Sequence, residues 1–107
     1  MVVMKYLKIP PRLRDDRRIL ESAERLDIPP IQMLGHVLSL WLWALENAPD
    51  GHIGYLSSRV IAQASRLDET VLRLLDEEDV HPSDYLRALI ASGLIDDRQD
   101  GLYLAQL

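Results

Sequence analysis

Residues 30–47 read PIQMLGHVLSLWLWALEN, and residues 48–51 follow as APDG. Apolar residues occupy most of the longer stretch, and five of them recur at helical spacings of three and four. These are Ile31, Leu34, Leu38, Trp41 and Leu45. A helix that is apolar around most of its circumference is typical of the centre of a core. Pro30 suits the first turn of the helix, and the turn residues Pro49-Asp50-Gly51 end it. We therefore predict a helix over residues 30–47 that turns this stripe inward.

The remaining side of this predicted helix carries mostly polar residues. They are Gln32, His36, Ser39, Trp43 and Glu46. We expect His36 to be a surface or boundary residue beside Trp43, and Trp43 to be covered in part by a neighbouring strand or loop, because large aromatic residues are mostly buried in part. The alternative is that Trp43 is exposed, and His36 and Trp43 are the candidate partner-binding residues.

Shorter elements are predicted on both sides of this helix. Residues 6–9 suit a short strand or an extended arm, and Asp15 suits the N-cap of a helix that ends near Leu26. Downstream the patterns predict a strand at 53–56, helices at 58–66 (capped by Ser57), 69–77 and 82–92, and a hairpin at 94–104. Gly93 suits the end of the last helix, and Asp100-Gly101 suits the hairpin turn.

The order of these elements predicts the fold class. A long helix, a short strand, helices, and a terminal hairpin follow one another as in a winged helix. We therefore predict a mainly α protein with a small β-hairpin: a winged helix-turn-helix with an N-terminal helical addition. Residues 1–28 form the basic arm and first helix, and residues 29–107 form the winged-helix domain, together one compact domain.

Six short runs carry a resemblance to a known family. They are LGHV at 34–37, LWLWA at 40–44, APDG at 48–51, IA at 61–62, LIASGLID at 89–96 and DG at 100–101. Together they resemble the N-terminal winged-helix domain of phage and bacterial replication-initiator proteins, including the DnaD-like primosome group, over about residues 29–104. The resemblance implies a role in DNA replication, self-association, and either a stand-alone module or a piece of a longer chain.

Charge is distributed unevenly along the chain. Residues 1–25 hold seven basic and four acidic side chains, whereas residues 26–107 hold five basic and thirteen acidic ones, for a net charge of −5. Attraction to phosphate is therefore expected at the N-terminal end. The candidate nucleic-acid-binding residues are Arg12, Arg14, Arg17 and Arg18 of the arm, Arg87 of the helix before the hairpin, and Arg98 of the hairpin.

Enzymatic and metal-binding patterns are absent from the sequence. His36, His52 and His81 are scattered, the acidic run at residues 76–79 lacks the spacing and glycine of a calcium loop, and no glycine-rich phosphate loop occurs. We therefore expect no catalysis, no cofactor, no metal and no small-molecule substrate. The absence of cysteine fits a cytoplasmic setting, and no apolar run approaches the roughly 20 residues of a membrane span.

Two functions remain open from the sequence. The first is a DNA-binding module of a replication or regulatory protein. The second is a protein-interaction or dimerisation module on the same fold, with a homodimer or a replication protein as partner. The carboxylates near Arg87 and Arg98 favour the second, because carboxylates repel phosphate. The fold alone does not decide between them.

Overall fold

The computed structural model describes residues 7–67 and 81–107, which are mainly helical with a small three-stranded antiparallel sheet. A short 3-10 helix, Pro11–Asp15, precedes the first α-helix. The α-helices are α1 (Arg17–Leu26), α2 (Pro30–Asn47), α3 (Ser58–Ala64) and α4 (Pro82–Ser92). The strands are β1 (His52–Gly54), β2 (Ile95–Arg98) and β3 (Gly101–Leu104). The coarse prediction, helices with a small hairpin, is therefore confirmed.

The N-terminus of α1 is capped one residue later than predicted. Asp16 has the extended backbone of an N-cap, and its Oδ1 accepts a hydrogen bond from the backbone N–H of Arg18 at 2.9 Å. Asp15 instead ends the 3-10 helix that begins at Pro11. Either aspartate has the right chemistry for a cap. The 3-10 turn decided between them, because it holds Asp15 in a helical conformation.

Helix α2 has the predicted limits but a different orientation about its axis. Its buried residues are Met33, His36, Val37, Leu40, Trp41 and Ala44. Ile31 of the predicted stripe is 81% exposed, and Leu38 is only partly buried. The predicted inward stripe is therefore confirmed for Trp41, only in part for Leu34 and Leu38, which pack at the edge of the core, and wrong for Ile31. On a helix that is apolar nearly all round, several stripes share the same spacing, and the neighbouring helices select one of them.

Most of the later boundaries agree with the prediction to within two residues. Ser57 caps α3 by accepting a hydrogen bond from the Val60 N–H, but α3 ends at Ala64 instead of residue 66. Helix α4 has the predicted limits and ends at Gly93, in the left-handed conformation with φ +88°. Strand β1 begins one residue earlier and ends two residues earlier than predicted. The predicted helix at 69–77 lies outside the described residues, as does Tyr6, and residues 7–9 form no strand.

The sheet has the strand order β1-β3-β2, with both pairs antiparallel. Arg98 pairs with Gly101, so Gln99 and Asp100 form the hairpin loop. Gly101 has φ +130°, and a Cβ atom there would lie 2.8 Å from the Cα atom of Gly54. Glycine at position 101 therefore lets β3 approach the end of β1 closely.

The hydrophobic core lies between the four helices and the inner side of the sheet. Helix α1 packs against α4 and α2, and α3 packs against α4. The largest fully buried apolar side chains come from every one of these elements. They are Leu13, Ile19, Met33, Leu40, Ile61, Tyr85, Leu89, Leu94 and Ile95. Leu86 and Ile90 of α4 are only partly buried, because Tyr85 and Ala88 take the innermost face of that helix.

Candidate nucleic-acid interface

Three arginines lie exposed where the 3-10 helix leads into α1. Arg12 and Arg17 are exposed and have no carboxylate within ion-pair distance among the described residues. Arg14 is 3.6 Å from the Asp15 carboxylate, and both side chains are largely in solvent. An exposed pair of that length holds its partners weakly. These cations are therefore available to an external anion.

Arg18 is engaged within the protein. Its Nε and a terminal nitrogen each lie 3.0 Å from an oxygen of Asp16, and its other terminal nitrogen donates to the carbonyl oxygen of Gln106 at 3.1 Å. The hydrogen bond from Arg18 lowers the pKa of Asp16, and the same bond raises the pKa of Arg18. The structure thus separates Arg18 from its sequence neighbours, because its guanidinium ties the start of α1 to the end of the chain.

The helix before the hairpin offers a single cation on its exposed side. Arg87 lies 3.6 Å from Asp84, one turn earlier on α4, and both side chains are mostly exposed. An exposed pair three residues apart contributes only a few tenths of a kcal/mol, so an incoming phosphate can displace Asp84 at little cost. Helix α4 therefore retains a weak capacity for anion contact.

Arg98 belongs to a stack of side chains on the outer face of the sheet. Its guanidinium carbon lies 4.3 Å from the centroid of the Tyr103 ring, and the His52 ring stacks on Tyr103 at 4.3 Å with an interplanar angle of 7°. Cross-strand pairing places His52 opposite Tyr103 and brings Arg98 onto the same face. Arg98 also donates to Asp96 at 2.7 Å. The outer face of the sheet therefore presents a cation and two rings, the cation and one ring from the hairpin and the His52 ring from β1, which stack on one another.

Acidic groups sit at the end of this stack. The Tyr103 hydroxyl donates to Asp100 Oδ2 at 2.6 Å, a bond that lowers the pKa of Asp100 and raises that of Tyr103. The hydrogen bond to Asp96 likewise raises the pKa of Arg98. The carboxylates of Asp96 and Asp100 reduce the attraction of the hairpin for phosphate.

Two further cations lie in a region that the sequence reasoning did not consider. Arg59 and Arg66 are exposed at either end of α3. Residues 51–67 contain no acidic side chain, which a count of charges along that segment would have revealed. In a chain of net charge −5, the exposed Arg59 of this segment is a further candidate for contact with an anion.

His36 is buried, so the predicted surface position was wrong. Its ring packs edge-on against Tyr85, with centroids 6.3 Å apart. Nδ1 donates to the carbonyl oxygen of Ser65 at 2.8 Å, and the amide of Gln32 lies 3.3 Å from Nε2. Burial lowers the pKa of His36. A neutral ring with its proton on Nδ1 satisfies both contacts, which makes His36 a bridge between helices and removes it from the accessible surface.

Trp43 is half-buried and lines an open groove between α2 and α3. The other lining residues are Ser39, Leu42, Val60, Gln63, Ala64 and Arg66. Residues of α3 line this groove beside the indole. The Trp43 side chain stays partly exposed, so the groove keeps it within reach of a partner.

Within residues 7–67 and 81–107, no group of three or more His, Cys, Asp and Glu side chains is arranged to hold a metal ion. No single helix there is long and apolar enough to cross a membrane. Segments Pro11–Leu26 and Pro30–Asn47 reach that length and hydropathy only together, with a bend of 112° between them.

Comparison of the chain with protein-family models, curated proteins and solved structures gave no match.

Proposed function

We propose that this chain is a non-catalytic winged-helix module that binds DNA. Support comes from the element order α2-β1-α3-α4-β2-β3 together with the strand order β1-β3-β2. In a winged helix the strand after the first core helix completes the sheet of the terminal hairpin, and the helix before that hairpin takes the recognition position. Here β1 pairs with β3, and α4 is the helix in that position.

The observation that carries the DNA proposal is the exposed cluster of arginines at the start of α1. Arg12 and Arg17 face solvent with no carboxylate within ion-pair distance among the described residues, and Arg14 is only loosely paired. Most of the affinity of such a module comes from neutralising phosphates. We infer that these three residues supply the phosphate attraction. Arg18 is left out of the set because Asp16 and Gln106 hold it.

Helix α4 and the hairpin add weaker contacts in this proposal. On binding, Arg87 leaves Asp84 and Arg98 leaves Asp96, and each arginine contacts a DNA phosphate instead. Arg98 stays positioned on the Tyr103 ring. Because only Arg87 supplies a cation on the exposed side of α4, direct reading of bases is limited. The expected behaviour is binding that depends strongly on salt and weakly on sequence. The resemblance of residues 29–104 to replication-initiator domains favours a role in replication.

A salt titration tests the proposal. Binding of a labelled DNA duplex is measured at several salt concentrations for the parent and for a variant with Arg12→Gln, Arg14→Gln and Arg17→Gln. We expect the variant to bind more weakly on every sequence, with a salt slope lower by about 0.9 for each lost contact. Arg25→Gln is the matched control, because Arg25 is an exposed arginine at the other end of α1.

One result would count against DNA binding, and a second against the footprint at the start of α1. A parent chain that binds no duplex even at low salt would remove it, since phosphate contacts strengthen as salt falls. A triple variant with unchanged affinity and slope would move the footprint elsewhere, and Arg59→Gln then tests the acid-free segment. Arg87→Ala should alter discrimination between sequences if α4 enters the major groove.

A protein-interaction module is the second candidate. The outer side of α2 carries Ile31 and Leu42, which are 81% and 53% exposed. Beside them lies the groove that contains Trp43. Apolar side chains grouped on one side of a helix favour contact with another protein surface.

A further inference from the structure

The outer side of α2 forms a continuous uncharged stripe. Ile31, Gly35, Leu38 and Leu42 follow one another at helical spacings of four, three and four, on the side away from the buried face. Ile31, Gly35 and Leu42 are exposed, whereas Leu38 packs in part against the core and leaves only part of its side chain on the surface. Glu46 continues the same line and is the only charged residue of α2. An apolar stripe of this length is stabilised by contact with a second apolar surface.

The shape of the stripe is complementary to itself. Gly35 leaves a gap, because no atom of the described structure lies within 4 Å of the position its Cβ would take. Leu42 projects from the same stripe, seven residues further on. The gap at Gly35 and the projecting side chain of Leu42 lie at equal distances along the helix from the midpoint between Leu38 and Ser39. Two antiparallel copies related by a twofold axis at that midpoint therefore place each Leu42 over the Gly35 of the other copy.

The charges of α2 favour the same arrangement. The first turn of α2 holds no acidic residue, and no side chain caps its amides. The last turn holds Glu46 and no basic residue. Helix N-termini attract carboxylates, and C-termini disfavour them. In the antiparallel arrangement Glu46 of one copy lies against the first turn of α2 in the other copy, beside Ile31. The carboxylate, unfavourable at the C-terminus of its own helix, then gains the favourable N-terminus of the partner helix, and that N-terminus gains the acidic group it lacks.

We propose that two copies of this chain associate through the outer sides of their α2 helices, packed antiparallel. Leu42 contacts Gly35 across the interface, and the Leu38 and Ser39 pairs meet at the twofold axis. Two helices meeting along one side bury a small interface, so the dimer is weak and concentration-dependent. The proposal does not depend on DNA binding: the oligomeric state is measured without DNA, and the salt titration is interpreted separately.

Sedimentation of the full chain over a range of concentrations tests the surface. The parent should pass from monomer to dimer as its concentration rises. Leu42→Glu should raise the dissociation constant at least tenfold, because it places a carboxylate in the apolar contact. Leu20→Glu is the matched control, an exposed leucine on α1 that is expected to change the constant less than twofold.

Single cysteines test the antiparallel direction, since the chain contains none of its own. Ser39→Cys should form a disulfide-linked dimer under mild oxidation, because the two copies of residue 39 meet at the axis. Ile31→Cys should not, because the two copies lie roughly 22 Å apart along the helices, beyond the reach of a disulfide. A mixture of Ile31→Cys and Glu46→Cys chains should cross-link to each other.

Each contrary result overturns the proposal. A parent that stays monomeric at the highest concentration shows that a different molecule, or solvent, covers the stripe. A dimer that Leu42→Glu leaves intact forms through another surface. Cross-linking of Ile31→Cys alone, without Ser39→Cys, shows a parallel arrangement. Circular dichroism tests whether each variant is folded. A variant that is unfolded is replaced by Gly35→Gln, whose side chain fills the gap at Gly35 from the solvent side.

Discussion

Nδ1 of His36 lies 2.8 Å from the carbonyl oxygen of Ser65 and so joins the middle of α2 to the end of α3. Histidine is also the side chain whose ordinary pKa lies closest to neutral pH. Burial lowers the pKa of His36, so the native protein holds the ring neutral while the unfolded chain can protonate it. The link between the two helices is therefore sensitive to acid.

The first prediction concerns the pH dependence of stability. Because the folded-state pKa of His36 is depressed, its contribution is fully present above the unfolded value near 6.5 and is lost as the pH falls below it. Urea unfolding should therefore give a lower free energy at pH 5.5 than at pH 7.5. His36→Gln should remove part of that difference, whereas His52→Gln, an exchange at the sheet surface, should retain it. Equal pH dependence in parent and His36→Gln would contradict the assignment.

The second prediction concerns the hydroxyl of Tyr85. This side chain is fully buried, and its hydroxyl makes no hydrogen bond that meets ordinary geometric limits within the described residues. Burial raises the pKa of Tyr85, and an interaction with the nearby Ser65 side chain, too poorly aligned to count as a full hydrogen bond, lowers it by a smaller amount. Removing an unsatisfied buried polar atom costs little, so Tyr85→Phe should change the free energy of unfolding by less than about 1 kcal/mol or increase it. Tyr85→Ala should cost about 3–5 kcal/mol. A loss above about 2 kcal/mol in Tyr85→Phe would reveal a partner.

The third prediction concerns the two tryptophans of α2. Trp41 is buried, and its indole N–H donates to the carbonyl oxygen of Ala105 at 3.0 Å, whereas Trp43 is half-buried. Trp41→Ala should lower the free energy of unfolding by about 3–5 kcal/mol. Trp43→Ala should lower it by only about 1–2 kcal/mol, because less apolar area is lost. Thermal melts of both variants check the order, and a larger loss for Trp43→Ala would reverse the assignment of the two faces.

The fourth prediction concerns the close approach of β3 to β1. Gly101→Val should destabilise the hairpin by about 3 kcal/mol, because φ +130° disfavours a side chain and the new Cβ meets the backbone of Gly54 at 2.8 Å. Gly54→Ala should cost only about 1–2 kcal/mol, since its φ of +64° is unfavourable but no atom lies nearby. Far-UV circular dichroism should show the helices of Gly101→Val intact. Wholesale loss of helix would mean that the hairpin is not peripheral.

The fifth prediction uses the gap at Gly35. Alanine is favoured over glycine inside a helix, and the added methyl group meets no described atom. Gly35→Ala should therefore stabilise the monomer by up to about 1 kcal/mol in unfolding at low protein concentration. The same variant should dimerise less well than the parent, since the methyl group occupies the space expected to receive Leu42. Parallel increases in monomer stability and dimer affinity would argue against the proposed contact.

Features that depend on neighbouring residues were predicted correctly from the sequence. The limits of α2 and α4, the Ser57 cap and the stop at Gly93 each rest on short-range chemistry: proline at a first turn, a hydroxyl at an N-cap, glycine in a left-handed position. The N-cap of α1 was predicted one residue early, because two adjacent aspartates offer the same chemistry and only the preceding 3-10 turn distinguishes them.

Features that depend on distant residues were decided by the tertiary structure. The side of α2 that is buried follows from how α1, α3 and the 3-10 helix pack against it, because a nearly uniform helix does not specify its own rotation. The burial of His36 follows from that rotation. The engagement of Arg18 requires Gln106, which is 88 residues away in the chain, to return to the start of α1. Local propensity contains no information about such contacts, so among four similar arginines only the fold could separate the one that holds the protein together from those that remain exposed.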